Sequence, residues 1–267
     1  MAKHLSIEAA HVPLDVILRM REEYRREMDR QIVHDSWHER GFMNSYLLSV
    51  AGQIVGYGSV GGAPREAKET IKEFFVFPPF RGAALPLFRE LAAVSGARRI
   101  EAQTNDTLLL LMLYDCAVEL SSETILFADG VTTDLTPPGC TLRRVTETDG
   151  ESLFPHTLEP VGEWGLECNR EIAATGGLLF HYNPPFGDIF VEVADAYRRK
   201  GFGSYLVQEL KRLCHEMGCV PAARCNQANL GSRLALQRAG MFPCARIVRG
   251  RLAVQLTKTE GREGRAE

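Results

Sequence analysis

The chain has 267 residues, closer to two domains than to one at roughly 150 residues per domain. Apolar residues make up 45% and charged residues 24%, the balance of a folded globular protein, which excludes wholesale disorder and a fibrous repeat. Lys and Arg number 31 against 34 Asp and Glu, a net charge of −3, so there is no basic surplus to neutralise phosphates and no nucleic-acid partner is expected. The longest apolar run, Leu108 to Leu113, falls far short of the roughly 20 residues a membrane helix needs, so no membrane partner is expected either.

The N-terminal stretch has no apolar core followed by small residues, so no signal peptide is expected. Seven cysteines without a CxxC pair are expected to be reduced thiols in a cytoplasmic protein. Cys214, His215 and Cys219 lie close together but lack a second pair at ligand spacing, so no metal is expected.

In chain order, residues 4–9 read as a strand, and Leu14, Ile17, Leu18, Tyr24, Met28 and Ile32 recur at helical spacing. Two strands follow around the Ala51-Gly52-Gln53 turn, then a loop, an apolar strand at 70–77, and a helix with Leu87, Leu91 and Val94 on one face, stopped by Gly96. Residues 98–103 give another strand, 106–117 a short helix, and 122–129 a strand expected to close this half. Residues 129–139 are dense in Gly, Pro, Asp and Thr, the composition of a linker.

The same order then returns. Strand 141–146 precedes a helical stretch at about 149–159, hairpin strands turn at Asn169-Arg170, and a strand at 188–193 leads to a helix marked by Phe202, Leu206, Leu210, Leu213 and Met217. A strand at 220–225, a helix at 230–239 and a strand pair over 245–256 complete it. The expected fold is α/β with mixed sheets: two tandem domains, 1–138 and 139–257, each a mostly antiparallel sheet flanked by helices, with a disordered charged tail at 258–267.

The chemistry concentrates at Val193 to Ser204. Gly201 and Gly203 sit where a strand turns into a helix, so amides and the positive helix end can converge on an anion, and Arg198, Arg199 and Lys200 add three positive charges. A glycine-rich strand-to-helix turn alone fits a dinucleotide fingerprint or an ordinary tight turn as well, but the spacing fails G-x-G-x-x-G and no P-loop is present. Arg198-Arg199-Lys200-Gly201-Phe202-Gly203 resembles the acetyl-CoA pyrophosphate loop, Gln/Arg-x-x-Gly-x-Gly/Ala, of the GNAT superfamily of N-acetyltransferases. About 30 residues on, Asn229, Ser232, Arg238, Gly240 and Met241 are similar to that family's second pattern, whose Asn and following helix lie beside the pantetheine arm.

The resemblance implies acetyl-CoA as cosubstrate, bound by Val191, Val193, Arg198, Arg199, Lys200, Gly201, Phe202, Gly203, Ser204, Asn229 and Ser232, and an amine acceptor, small molecule or peptide, that attacks the thioester directly. It also implies an oxyanion donor among the backbone amides of 190–193. The family's usual acid, a Tyr seven residues after the motif Asn, is Leu236 here. Glu192 is the first choice for a general base if burial raises its pKa, against the reading of a carboxylate paired to an Arg or left wet; Asp188 and His181 follow it. Trp164 and Glu167 are candidates for the acceptor pocket or, for the Trp, the core; Cys225 is an outside candidate for an acyl carrier. In the first half the equivalent loop, Phe80 to Pro86, lacks both glycines, and Pro86 removes an N–H, so this half reads as a degenerate copy. A binding module without turnover, with the first half docking a protein, is the alternative function.

Overall fold

The computed structural model describes residues 6–63, 65–136, 139–150 and 153–253, so the expected tail lies outside the described residues. In chain order the elements are β1 (Ile7–Val12), α1 (Leu18–Met28), α2 (His34–Glu39), β2 (Met43–Val50), β3 (Gln53–Gly61), β4 (Thr70–Val76), α3 (Ala84–Ser95), β5 (Arg99–Gln103), α4 (Thr107–Cys116) and β6 (Ala117–Asp129). There follow β7 (Cys140–Arg144), β8 (Trp164–Cys168), β9 (Glu171–Leu179), β10 (Phe186–Val193), α5 (Phe202–Glu216), β11 (Val220–Asn226), α6 (Leu230–Arg238) and β12 (Met241–Leu252). None of the described helices is long and apolar enough to cross a membrane.

The chain divides into two compact units, and no single cut separates them. The first draws on Met1–Arg30, Trp37–Ser122 and Ile247–Glu267, the second on Gln31–Ser36 and Glu123–Arg246. In the first unit β1, β2, β3 and β4 run antiparallel in sequence order, and β5 joins β4 in parallel at Thr70↔Arg99 and Ile71↔Ile100 only. The far side of β5 is taken by Ile247–Arg251 of β12, from the other end of the chain. Its core gathers Leu48, Val60, Phe74, Leu87, Phe88, Leu91 and Ile100, all shut from solvent.

The second unit has β7, β8, β9 and β10 antiparallel, then β11 parallel to β10, then Thr124–Ala128 of β6 antiparallel to β11. The strand expected to close the first half thus completes the second unit, and Phe127 is fully buried there among Leu206, Leu210 and Ala223. A second inserted segment is pinned beside it: Gln31 Nε2 donates to the carbonyls of Phe127 (3.1 Å) and Ala223 (3.3 Å), and Ile32 N donates to Asn183 Oδ1 at 2.7 Å. A break at residue 138 would leave each unit without a strand.

Three local expectations are corrected. The strand pair over 245–256 is one strand, β12, through Leu252. The helical stretch at 149–159 shrinks to a 3₁₀ turn, Glu147–Asp149; Pro155 and Pro160 interrupt any helix, and the amides of 157–159 are spent on the Glu192 carboxylate. The cysteines are not all reduced: Cys140 and Cys168 face each other across the β7–β8 pair and are joined as a disulfide. Nothing in the spacing of the cysteines marked this pair; only strand register brings them together.

Candidate functional site

The second unit positions its site by a parting of strands. β10 and β11 pair only at Phe186↔Val220, Gly187↔Pro221 and Asp188↔Ala222, although both strands continue. Beyond Asp188, β10 follows β9 as far as Val193↔Ala174 while β11 follows β6, so the edges of Ile189–Val193 and Ala223–Asn226 that would meet are left open to a ligand.

At the far end of β10 the chain makes a 3₁₀ turn, Asp195–Tyr197, and enters α5 through two left-handed residues, Arg199 (φ +62°) and Gly201 (φ +89°). A β-carbon at Gly201 would meet nothing within 4 Å, so glycine serves there for conformation. Gly203 serves for closeness: its β-carbon would lie 3.3 Å from Val193 Cγ2. Tyr205 N bonds to the carbonyl of Gly201 at 3.0 Å, leaving the amides of Phe202, Gly203 and Ser204 without a protein acceptor among the described residues. Three free N–H groups at the start of a 15-residue helix, with Arg199 and Lys200 exposed beside them, make an anion site.

Arg198 is employed otherwise. Its Nε donates to Val193 O at 3.2 Å and its guanidinium pairs with Asp195 at 2.9 Å, bracing the turn. Lys200 lies over the Tyr197 ring, 5.2 Å from its centre. Asn229 caps α6, accepting from Ser232 N at 3.0 Å. Val191 and Val193 point to the α5 side of the sheet and pack against its core, while Ser204 is buried in the first turn of α5.

On the opposite face stand Asp188, Phe190 and Glu192. The buried Glu192 carboxylate accepts from Thr157 N (3.1 Å) and Thr157 Oγ1 (3.3 Å) through one oxygen, and from Leu158 N (3.2 Å) and Glu159 N (2.9 Å) through the other. Burial pushes its pKa up, but the three amides outweigh burial and hold it below the ordinary carboxylate value. The raised pKa on which the choice of Glu192 as base depended is therefore not found; the side chain anchors a loop.

Asp188, also buried, lies 3.0 Å from His181 Nε2, off the line of a straight hydrogen bond, and 3.7 Å from Arg224 Nε. Tyr182 is buried beside it, its hydroxyl pKa pushed well above 10 by burial and then by the Asp188 charge. Glu159 joins from the anchored loop, its pKa raised by burial and by the charge of Asp188. Tyr182, Arg224 and Glu159 were missed from sequence; an arginine within the otherwise apolar run of β11 was the available signal.

The profile of the acetyltransferase (GNAT) family matches residues 138–241, which contain the parted strands, the loop and both helices. The chain carries a GNAT-family acetyltransferase domain. Its fold is similar over most of its length to solved structures of the same family: a GNAT acetyltransferase from Colwellia psychrerythraea (12% identity, 93% of this chain and 100% of that one, TM-score 0.67) and a GCN5-related N-acetyltransferase from Sphaerobacter thermophilus (17%, 92% and 95%, TM-score 0.59). A tandem GNAT protein from the clavulanic acid biosynthesis pathway is similar too (12%, 92% and 98%, TM-score 0.59). No curated protein matches the sequence.

Three residues singled out in the sequence have structural employment in the GNAT domain. Leu236, at the usual Tyr position, is buried in the core. Glu167 pairs with Arg143 at 2.5 Å, and Arg143 also holds Asp149. Trp164 packs partly on the core with Arg144 over its ring. Cys225 is buried and its thiol pKa raised by burial, the reverse of what a nucleophilic thiolate needs. His215, from the cysteine-rich stretch, pairs with Asp129 at 2.7 Å, and among the described residues no group of three potential ligands could hold a metal ion.

The first unit repeats the plan in detail. Arg81 Nε donates to Val76 O at 3.0 Å, as Arg198 does to Val193 O, each five residues after the carbonyl it braces. Asp106 caps α4 by accepting from Leu109 N at 3.0 Å, as Asn229 caps α6 from Ser232 N. What differs is the loop: Pro78–Ala83 forms a 3₁₀ helix that runs directly into α3.

Proposed function

We propose that the GNAT domain transfers an acetyl group from acetyl-CoA to a primary amine bound on the sheet face opposite α5. The observation that carries this reading is the set of free amides at Phe202, Gly203 and Ser204, reached through the left-handed Arg199 and Gly201, at the end of the strand that parts from β11. These amides, with Arg199 and Lys200, would hold the phosphates, and the open edge of Ile189–Val193 would hold the acyl arm. Acetyl-CoA supplies the activated acyl group.

The remaining work falls to the chain. An alkylammonium with a pKa near that of Lys, about 10.4, must lose a proton before its nitrogen can attack. His181, held beside Asp188, is the proton acceptor in this reading, with the carboxylate stabilising the charged ring. The carboxylates of Asp188, Glu159 and Glu192 favour a cationic acceptor, either a small amine or a peptide amine. The N–C bond forms as the C–S bond breaks; with Leu236 in the core, no side chain is assigned to protonate the sulfur. A thiol of pKa about 8.5 can leave as thiolate and take its proton from water.

A second reading, an acyl-CoA-binding module without turnover, is favoured by the burial of Leu236 where an acid would stand. Thiol release from acetyl-CoA with a panel of small amines and peptides separates the two. Turnover that falls at least tenfold in His181→Gln and Asp188→Asn, with the acetyl-CoA-induced Tm shift intact, supports catalysis; an intact Tm shift with no thiol release for any amine supports the second reading.

A further inference from the structure

Residues 154–163 lie against the sheet face on which the amine would bind, and apolar burial does little to keep them there. Leu158 is 69% exposed and Val161 49%, so neither side chain serves as an anchor. The segment is held instead by polar contacts and by one close approach. Its middle is gripped by Glu192, which takes the amides of Thr157, Leu158 and Glu159. Its end rests on glycine: a β-carbon at Gly162 would fall on the backbone of Gly176 in β9, so only glycine lets the two chains meet there.

One more contact lies just before the Glu192 grip. His156 Nδ1 is 2.9 Å from the carbonyl of Phe154, which can only accept, so Nδ1 carries the proton; the bare Nε2 of the neutral ring accepts from Thr175 Oγ1 at 2.6 Å. The Phe154 ring stacks on the imidazole with centroids 4.3 Å apart, which favours that orientation. Thr175 has no exposed surface and pairs with Glu192 across β9 and β10, so this latch and the Glu192 grip stand side by side on one face of the sheet. The donor belongs to a strand and the acceptor to a loop, so the bond fixes the loop to a rigid element.

What the latch positions is Glu159, three residues beyond His156 and too close along the chain to move independently of it. The Glu159 carboxylate forms no ion pair among the described residues, yet it lies within the fields of Asp188, Arg224 and Glu192. It is therefore open to a cation arriving at the His181–Asp188 pair. We propose that His156 and Thr175 are positioning residues for the amine acceptor: their hydrogen bond sets Glu159 where it meets the ammonium group. This role rests on the amine-acetylation reading. The bond lies outside both the His181–Asp188 pair and the amides of α5, so it bears on amine binding and leaves acyl transfer and acetyl-CoA binding to other groups.

The test is thiol release from acetyl-CoA by the full chain with n-butylamine, 1,4-diaminobutane and glycyl-lysine amide, together with amide exchange at Thr157, Leu158 and Glu159. Thr175→Val nearly keeps the shape of the buried side chain and removes the donor. Losing one neutral hydrogen bond should raise the KM of the amine about fivefold, with kcat and the acetyl-CoA-induced Tm shift little changed, and should speed exchange at the three amides by about the same factor. Thr175→Ser, which retains the hydroxyl, should restore both. His156→Ala, at a part-buried loop position, should match Thr175→Val and decides the matter should that variant not fold; the two together should be no worse than either alone, because they remove one bond. Glu159→Gln should itself raise the KM, and adding Thr175→Val to it should then cost clearly less than fivefold. An unchanged KM with faster exchange, unchanged exchange, or a full fivefold effect on top of Glu159→Gln would each overturn the proposal. No turnover by the wild type with any of the three amines would sink the reaction and this role with it; faster exchange in Thr175→Val tells that outcome from a latch that does not hold.

Discussion

Glu192→Gln discriminates between a base and an anchor. The carboxylate accepts four hydrogen bonds, two at each oxygen. The amide keeps one acceptor oxygen and presents an NH₂ in place of the other, which loses one or two charge-assisted bonds and faces a donor with a donor. At roughly 1.5–3 kcal/mol for each bond to a charged group, the variant should be destabilised by about 2–4 kcal/mol. The loss should be local first, so amide exchange at Thr157, Leu158 and Glu159 should accelerate roughly 30-fold or more, since 1.4 kcal/mol is a factor of ten. The pH dependence has a definite sign. A carboxyl held below its ordinary value stabilises the fold above an unfolded pKa of about 4.3, and that stability is lost as pH falls through the folded value, so the deficit of the variant should shrink in acid. Urea unfolding at pH 4 and 7, exchange at the three amides, and the pH profile of kcat are the measurements. An unaltered profile is expected. Unchanged stability and exchange, with kcat down about 100-fold and recovering as pH rises, would refute the anchor and restore Glu192 as a base.

Three further outcomes follow from the structure. Acetyl-CoA at about 100 times its Kd should stabilise the chain by roughly 2.7 kcal/mol; in melting curves Gly203→Glu should abolish that shift, and Gly201→Ala should cost about 1–2 kcal/mol through its left-handed conformation alone, whereas Gly203→Ala should be mild. A fragment starting at residue 139 lacks Ile125, Leu126 and Phe127, all buried, and the Gln31–Ile32 clamp, so it should show no cooperative unfolding in urea, while the full chain does. Asp106 has a folded pKa raised to about 7, so its contribution is present below about pH 3.9 and lost as pH rises through 7; relative to wild type, Asp106→Asn should gain about 2–3 kcal/mol between pH 5 and pH 8 in urea titrations.

Features that depend on neighbours along the chain were legible in the residues alone. Period-two and period-3.6 patterns located the strands and main helices, and the Arg198–Gly203 spacing marked the turn where α5 begins, because the left-handed residue and the free amides are properties of that short segment. The repeat was legible in outline for the same reason, and Arg81 and Arg198 perform one bracing bond at one spacing.

Whatever rests on which strand lies beside which could be read only from the folded chain. Residues 122–129 look like the last strand of the first half, yet Thr124–Ala128 pair with β11; residues 245–256 look like a strand pair that ends the second half, yet Ile247–Arg251 pair with β5. An apolar strand carries no mark of its sheet, since any open edge of suitable register satisfies its backbone. The protonation behaviour of the carboxylates was hidden for a related reason. Glu192 and Asp106 are both buried acids, but three amides from a loop some 34 residues away hold one ionised, while burial, with lesser pushes from Glu27 and Glu73, leaves the other ready to take up a proton. Local sequence sets the geometry of a turn; the field around a charge is a sum over neighbours that only the folded chain assembles.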